Sequence, residues 1–173
     1  MFSGSYVAIV TPFANGKIDY DALEKLIELH VESGTAGIVP CGTTGESPTL
    51  THAEHKEIIE FVVERVNGRV TVIAGTGSNS TAEAIELTVA AREAGADASL
   101  QVAPYYNKPE PEGAYRHFRA IAEASRLPMI LYNIPGRTGR AIQMETILRL
   151  AEDTSELVAV KAAYGSPDNA THL

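Results

Sequence analysis

Short runs of Val, Ile, Leu and Ala alternate along the chain with longer stretches in which apolar residues recur every three or four positions. The short runs read as strands of a parallel sheet, apolar on both faces, and the longer ones as helices that cover them. Six strands are predicted, over 5–11, 37–41, 70–74, 98–103, 129–133 and 157–161. Five helices are predicted between them, over 19–33, 52–67, 81–94, 111–125 and 143–153, and Leu23, Leu26, Ile27, His30 and Val31 show the helical spacing in the first. Thr51-His52-Ala53-Glu54 and Ser80-Thr81-Ala82-Glu83 fit the capping box, in which hydroxyl and carboxylate satisfy exposed amides reciprocally. Gly34, Gly68 and Gly95 stand where helix C-caps belong.

The βα units follow one another with no low-complexity linker, so a single domain over 1–173 is the simplest organisation. An α/β repeat of this kind suits either a doubly wound sheet or a (β/α)8 barrel, and strand number leaves both open. The placement of unusual residues separates them. Thr11-Pro12, Gly42 to Ser47, Gly75 to Asn79, Pro104 to Asn107, Asn133 to Thr138 and Lys161 all fall at C-terminal strand ends. A barrel gathers a site from many strand ends, whereas a doubly wound sheet concentrates it at one switch point.

Composition narrows the partners. With 45% hydrophobic and 21% charged residues the chain is an ordinary globular domain, and its net charge of -8 disfavours nucleic acid and favours a small metabolite. Cys41 is the single cysteine, so no intrachain disulfide forms and a reducing cytoplasm is the expected compartment. The opening Met-Phe-Ser-Gly-Ser-Tyr lacks the basic and apolar regions of a signal peptide, and no apolar run reaches membrane-spanning length.

Lys161 closes the apolar run Leu157-Val158-Ala159-Val160. Desolvation there favours the neutral amine, which can condense with a ketone to an imine, although a lysine snorkelling to solvent fits the same segment. Gly42-Thr43-Thr44-Gly45-Glu46-Ser47 can hold a carboxylate through amides and hydroxyls, or be a plain turn; it lacks the Lys-Ser/Thr ending of a phosphate loop. Gly75-Thr76-Gly77 reads as a tight strand-to-helix turn. Tyr105, Tyr106 and Tyr132 lie at strand ends, where buried tyrosines usually pack; two of them with Thr43 can also pass the protons that imine formation requires. Arg137 offers a bidentate fork to a carboxylate or simply faces solvent. His52 and His55 are three apart on a helix and read as surface histidines, with no metal set to complete them, and Cys41 reads as a packed thiol.

Taken together, Gly42 to Ser47, Pro104-Tyr105-Tyr106-Asn107-Lys108-Pro109, Tyr132-Asn133-Ile134-Pro135-Gly136-Arg137-Thr138-Gly139 and Val160-Lys161 closely resemble the 4-hydroxy-tetrahydrodipicolinate synthases, also called dihydrodipicolinate synthases. The resemblance runs from Phe2 to about Lys161. It implies a class I aldolase-type (β/α)8 barrel that condenses pyruvate with aspartate semialdehyde in lysine biosynthesis, with no cofactor beyond the covalent pyruvate imine. By the same resemblance Lys161 forms the Schiff base, Tyr132 relays protons over the bound pyruvate, and Thr43 and Tyr106 complete the relay, the latter across a subunit interface. Thr44 belongs to a carboxylate-binding loop and Arg137 receives the carboxylate of the semialdehyde. Ser47, His52, His55, Asn79, Glu83 and Tyr105 match a lysine feedback site at a dimer interface, within a homotetramer that is a dimer of dimers.

Two features depart from the pattern. A complete barrel has eight strands and about 250 residues; this chain supplies about six strands, so the expectation is a barrel domain truncated after the sixth, with little turnover by itself. Ala162-Ala163-Tyr164 also stands where the family usually carries Glu, Ala and a small residue. The rival readings are a pyruvate-dependent sugar-acid lyase of the same superfamily, which would not need Arg137 in its present loop, and a noncatalytic truncated barrel serving as an interaction module.

Overall fold

The computed structural model describes residues 2–164, and the end of the expected 1–173 domain, 165–173, lies outside the described residues. The described residues up to Gly75, with Ala90–Ala98, make one compact unit; Thr76–Val89, with the described residues from Ser99 on, make a second.

The first unit contains β1 (Tyr6–Ala8), β2 (Phe13–Ala14), β3 (Lys17–Ile18), α1 (Tyr20–Glu32), β4 (Gly37–Val39), a 3-10 turn at Ser47–Thr49, α2 (His52–Val66) and β5 (Thr71–Gly75). β1, β4 and β5 are parallel, with Tyr6 opposite Gly37 and Ile38 opposite Val72. β4 is shorter than the predicted 37–41 because Pro40 has no N–H to donate and Cys41 turns into the left-handed region at φ 53°. β1 shortens with it, and only the Ile9 amide continues the ladder, to the Val39 carbonyl at 3.2 Å. The small antiparallel pair β2 and β3 falls in a stretch assigned no strand from the pattern. Asn15 and Gly16 join the two with φ of 53° and 75°, the positive values that a two-residue hairpin turn requires.

α1 starts where the Asp19 carboxylate accepts the Ala22 amide, and α2 carries the full capping box expected of Thr51 and Glu54. Their apolar stripes supply Leu23, Ile27, Ile58, Ile59 and Val62, which close over Ile38 and Val72 of the strands, all at most 2% exposed. Each such side chain stabilises by about 2 kcal/mol on burial.

The second unit holds the start of α3 (Thr81–Ala94), then β6 (Ala98–Val102), α4 (Pro111–Ser125), β7 (Met129–Asn133), the single turn α5 (Pro135–Thr138), α6 (Met144–Asp153) and β8 (Leu157–Ala162). β6, β7 and β8 are parallel. Phe118 and Ile121 of α4, Ile147 and Leu150 of α6, and Met129 and Leu131 of β7 form its core. The box expected at Ser80 is rearranged: Ser80 Oγ receives the Glu83 amide at 3.4 Å, while the Ser80 amide goes to Ser78 Oγ at 3.0 Å. Among the described residues no helix is long and apolar enough to cross a membrane.

Candidate active site

In the second unit the site is built on the adjoining ends of β7 and β8. Met129 lies opposite Leu157, but Ile130 lies opposite Ala159, so Val158 is an extra residue on β8. That bulge moves every later pair by one position: Tyr132 comes opposite Lys161, and Asn133 opposite Ala162. Without it Tyr132 would face Val160. Because side chains alternate along a strand, a one-residue slip would send Lys161 to the other face. The bulge is therefore what puts the amine beside the phenol ring.

The Lys161 Nζ stands 4.4 Å from the centre of the Tyr132 ring. Two effects oppose each other there. The face of the ring attracts an ammonium, while the surrounding protein withdraws water from it, and desolvation prevails: the Lys161 pKa is lowered from its ordinary 10.5. The side chain remains accessible to solvent at the strand end, while Tyr132 is buried. An accessible amine with a depressed pKa is what attack on a carbonyl needs.

Asn133, wholly buried, fixes the loop that follows. Its Nδ2 donates to the Ile142 carbonyl at 2.9 Å and to the Tyr164 hydroxyl at 2.7 Å, and its Oδ1 accepts the Ile142 amide at 3.0 Å. Pro135 opens α5, which carries Arg137 exposed on its surface. Arg140 ties this loop to the preceding one, donating to the Pro109 carbonyl at 3.0 Å and the Glu110 carboxylate at 2.8 Å. On that preceding loop Tyr105 is half-buried and Tyr106 is 91% exposed. Asn79 and Tyr105 are joined through the Asn79 Nδ2 and the Tyr105 carbonyl at 3.1 Å, and Glu83 accepts the Ser78 hydroxyl at 3.0 Å.

In the first unit Thr43 and Thr44 are exposed on the turn after β4. Three of the amides of that turn are taken up within it. Gly45 and Ser47 donate to the Gly42 carbonyl at 3.0 and 3.4 Å, and Glu46 to Thr43 at 3.1 Å, because a loop this tight closes on its own carbonyls. An incoming carboxylate would meet Thr43 and Thr44. The buried Thr11 hydroxyl locks the turn from below, donating to Gly45 O at 2.7 Å. Gly75 is required here, since a Cβ on it would collide with the Cys41 carbonyl and lie 2.7 Å from the Gly42 amide.

His52 is exposed as expected, but His55 is not a surface histidine. It is buried, with Nε2 2.7 Å from the Gly75 carbonyl, because the first turn of α2 packs on the end of β5 and that carbonyl needs a partner. The Cys41 thiol points at the His55 carbonyl at 3.8 Å, and burial pushes its pKa up to about 12, so it is a packed, unreactive thiol. Ser47 opens the short 3-10 turn ahead of α2. Among the described residues no group of three His, Cys, Asp or Glu side chains gathers as a metal set would. Two contributors were given no role from the sequence: Asn133, which stood only among the strand-end residues, and Val158, which leaves no mark in composition.

A chain of parallel strands alternating with helices, with a desolvated lysine registered against a tyrosine at the C-terminal ends of two of them, is of the (β/α)-barrel class. The model of the dihydrodipicolinate synthetase family matches residues 1–173, and the chain belongs to that family. It is 57% identical over its whole length to the 4-hydroxy-tetrahydrodipicolinate synthase of Pelobacter propionicus, of which it spans 59%. The crystal structure of dihydrodipicolinate synthase from Aquifex aeolicus superposes with a TM-score of 0.97 at 51% identity, covering 99% of this chain and 58% of that one. The chloride-inhibited synthase from Acinetobacter baumannii, complexed with pyruvate, superposes with a TM-score of 0.92 at 54% identity over 95% of this chain and 57% of its own. The expected fold class, a (β/α)8-barrel architecture represented by six strands, is thereby established.

Proposed function

We propose that this chain carries the pyruvate-activating part of a synthase that condenses pyruvate with L-aspartate 4-semialdehyde to 4-hydroxy-tetrahydrodipicolinate in lysine (diaminopimelate) biosynthesis. The observation that carries the reading is the Lys161 amine, 4.4 Å from the Tyr132 ring and lowered in pKa by desolvation. The neutral amine attacks the keto carbon of pyruvate. The carbinolamine gains a proton on its hydroxyl and leaves water and an iminium. Loss of a methyl proton gives an enamine whose carbon adds to the aldehyde of the semialdehyde, restoring the iminium; the amino group that the semialdehyde carries then closes on the imine carbon and releases Lys161. Each step moves a proton, and Tyr132, Thr43 and Tyr106 are the hydroxyls assigned to move them. Thr44 receives the pyruvate carboxylate, and the exposed Arg137 pairs with that of the semialdehyde through a two-pronged contact.

The synthase from Acinetobacter baumannii with pyruvate bound supports the choice of first substrate. Ser47, His52, His55, Asn79, Glu83 and Tyr105 are assigned to a lysine inhibitor site, in a cytoplasmic homotetramer whose only prosthetic chemistry is the imine itself. Residues 1–173 count as one barrel domain in this reading.

Because the chain spans 59% of its relative's length, the test reads imine formation rather than turnover. Pyruvate followed by borohydride reduction should leave a stable adduct on the peptide containing Lys161, and Lys161→Arg should leave none. An unmodified Lys161 in the parent chain rejects the reading. An adduct that condenses onward with a sugar aldehyde but not with aspartate semialdehyde would transfer the chain to the sugar-acid lyases.

A further inference from the structure

The loop after β6 holds a tyrosine in a backbone conformation that its own chemistry does not favour. Tyr106 has φ of 69°, and the amide of Asn107 donates to the carbonyl of Tyr105 at 2.8 Å, closing a three-residue turn around it. This is the γ-turn of positive φ, the rarer and strained kind, and Lys108 follows with φ of 43°. Such a conformation in a bulky residue persists only where the surroundings over-determine it. Within this chain packing of the ring does not supply that constraint, since Tyr106 is 91% exposed.

Two asparagines do. Asn79 Nδ2 donates to the Tyr105 carbonyl at 3.1 Å, and Asn107 Nδ2 donates to the Asn79 carbonyl at 3.0 Å. Three hydrogen bonds thus close a ring from Asn79 to Tyr105 to Asn107 and back, with Tyr106 at its outer corner. Asn79 is itself held on a stiff base. The amides of Thr76 and Gly77 both donate to the Leu100 carbonyl, at 3.3 and 3.2 Å, and a Cβ on Gly77 would strike the Val102 amide. Beneath them Gln101, Thr76 and Thr88, all fully buried, are linked through the Gln101 Nε2 at 2.8 and 2.9 Å. Ser78, also buried, donates to Glu83 and accepts the Ser80 amide, each at 3.0 Å.

We propose that Asn79 and Asn107 are positioning residues that hold Tyr106 in its strained turn so that its hydroxyl projects in one fixed direction for proton transfer. The proposal rests on the reading above, in which Tyr106 serves the Lys161 imine. It also gives the Asn79 amide a task that does not involve an inhibitor.

The test compares the parent chain with Asn79→Ala, Asn107→Ala and Tyr106→Phe by two readouts. The first is the backbone ¹⁵N order parameter at Tyr106 and Asn107: about 0.85 is expected in the parent and below about 0.6 in each asparagine variant, with the helices unchanged. The second is the initial rate of borohydride-trapped adduct at Lys161, expected to fall about tenfold or more in all three variants, with the half-saturating pyruvate concentration unchanged. An ordered Tyr106 in the asparagine variants overturns the clamp. Lost order with a parental rate, where Tyr106→Phe is slow, overturns the positioning role. A parental rate in Tyr106→Phe removes the relay role of that tyrosine and the purpose of the clamp with it, and no adduct in the parent rejects the imine reading separately.

Discussion

Acid should unfold this chain through one particular ring. His117 lies on α4, 5% exposed, with its Nδ1 2.9 Å from the Thr81 hydroxyl of α3 and its ring edge-on to Phe118 at 5.0 Å. Its Nε2 is buried with no hydrogen-bond partner among the described residues. Burial therefore pushes the His117 pKa down from 6.5 to about 4. Between those values the unfolded chain binds a proton on this ring and the folded chain does not. Stability then rises with pH across the window, and is lost as pH falls from 6.5 towards 4. One proton of difference gives a slope of about 1.4 kcal/mol per pH unit, and the whole shift is worth about 3 kcal/mol. His117→Asn keeps a short polar group near the Thr81 hydroxyl but cannot titrate. It lowers stability at every pH through the space it opens, yet flattens the acid slope. Urea unfolding followed by circular dichroism, at steps from about pH 7.5 to about pH 4.5, should show the parent approaching the variant as pH falls. The carboxylates titrate in both proteins and drop out of the difference. Parallel curves for parent and variant would refute the reasoning, since the ring would then take up its proton in the fold as readily as outside it.

Gly75→Ala should lower stability by about 1 to 3 kcal/mol, read by thermal unfolding, because its Cβ must displace the Cys41 and Gly42 backbone; an unchanged midpoint would mean that turn yields freely. The buried Cys41 thiol, its pKa raised to about 12, should react with a disulfide reagent at least about a hundredfold more slowly in the native chain than in urea, and equal rates would contradict its burial. Rising L-lysine should slow adduct formation at Lys161 if the residues around His52 and Asn79 bind it, and a flat response removes that assignment.

The five long helices were legible almost to the residue, the single turn α5 not at all: periodicity predicts 111–125 and 81–94, and α4 and α3 occupy those spans, because each buries one continuous stripe and is punctuated by its caps. The strands were legible in place but not in length, since a strand ends where its neighbour can no longer pair, as β1 does when Pro40 and Cys41 leave β4. β2 and β3 are two residues each, too short for any alternation to show, although Asn15-Gly16 carried the turn signal. The site divides in the same way. Lys161 stood out alone as a charge ending an apolar run, whereas its partnership with Tyr132 depends on the extra residue Val158, and an insertion of one apolar residue in an apolar strand is silent in sequence. Asn79 and Asn107 likewise stood apart at two strand ends, Asn79 with a role by resemblance alone, and only the bond between them, across 28 positions, turns two loops into a support for Tyr106. Local patterns disclose groups that must be solvated, capped or buried. Registration between segments decides which groups meet, and in this chain that is where the chemistry lies.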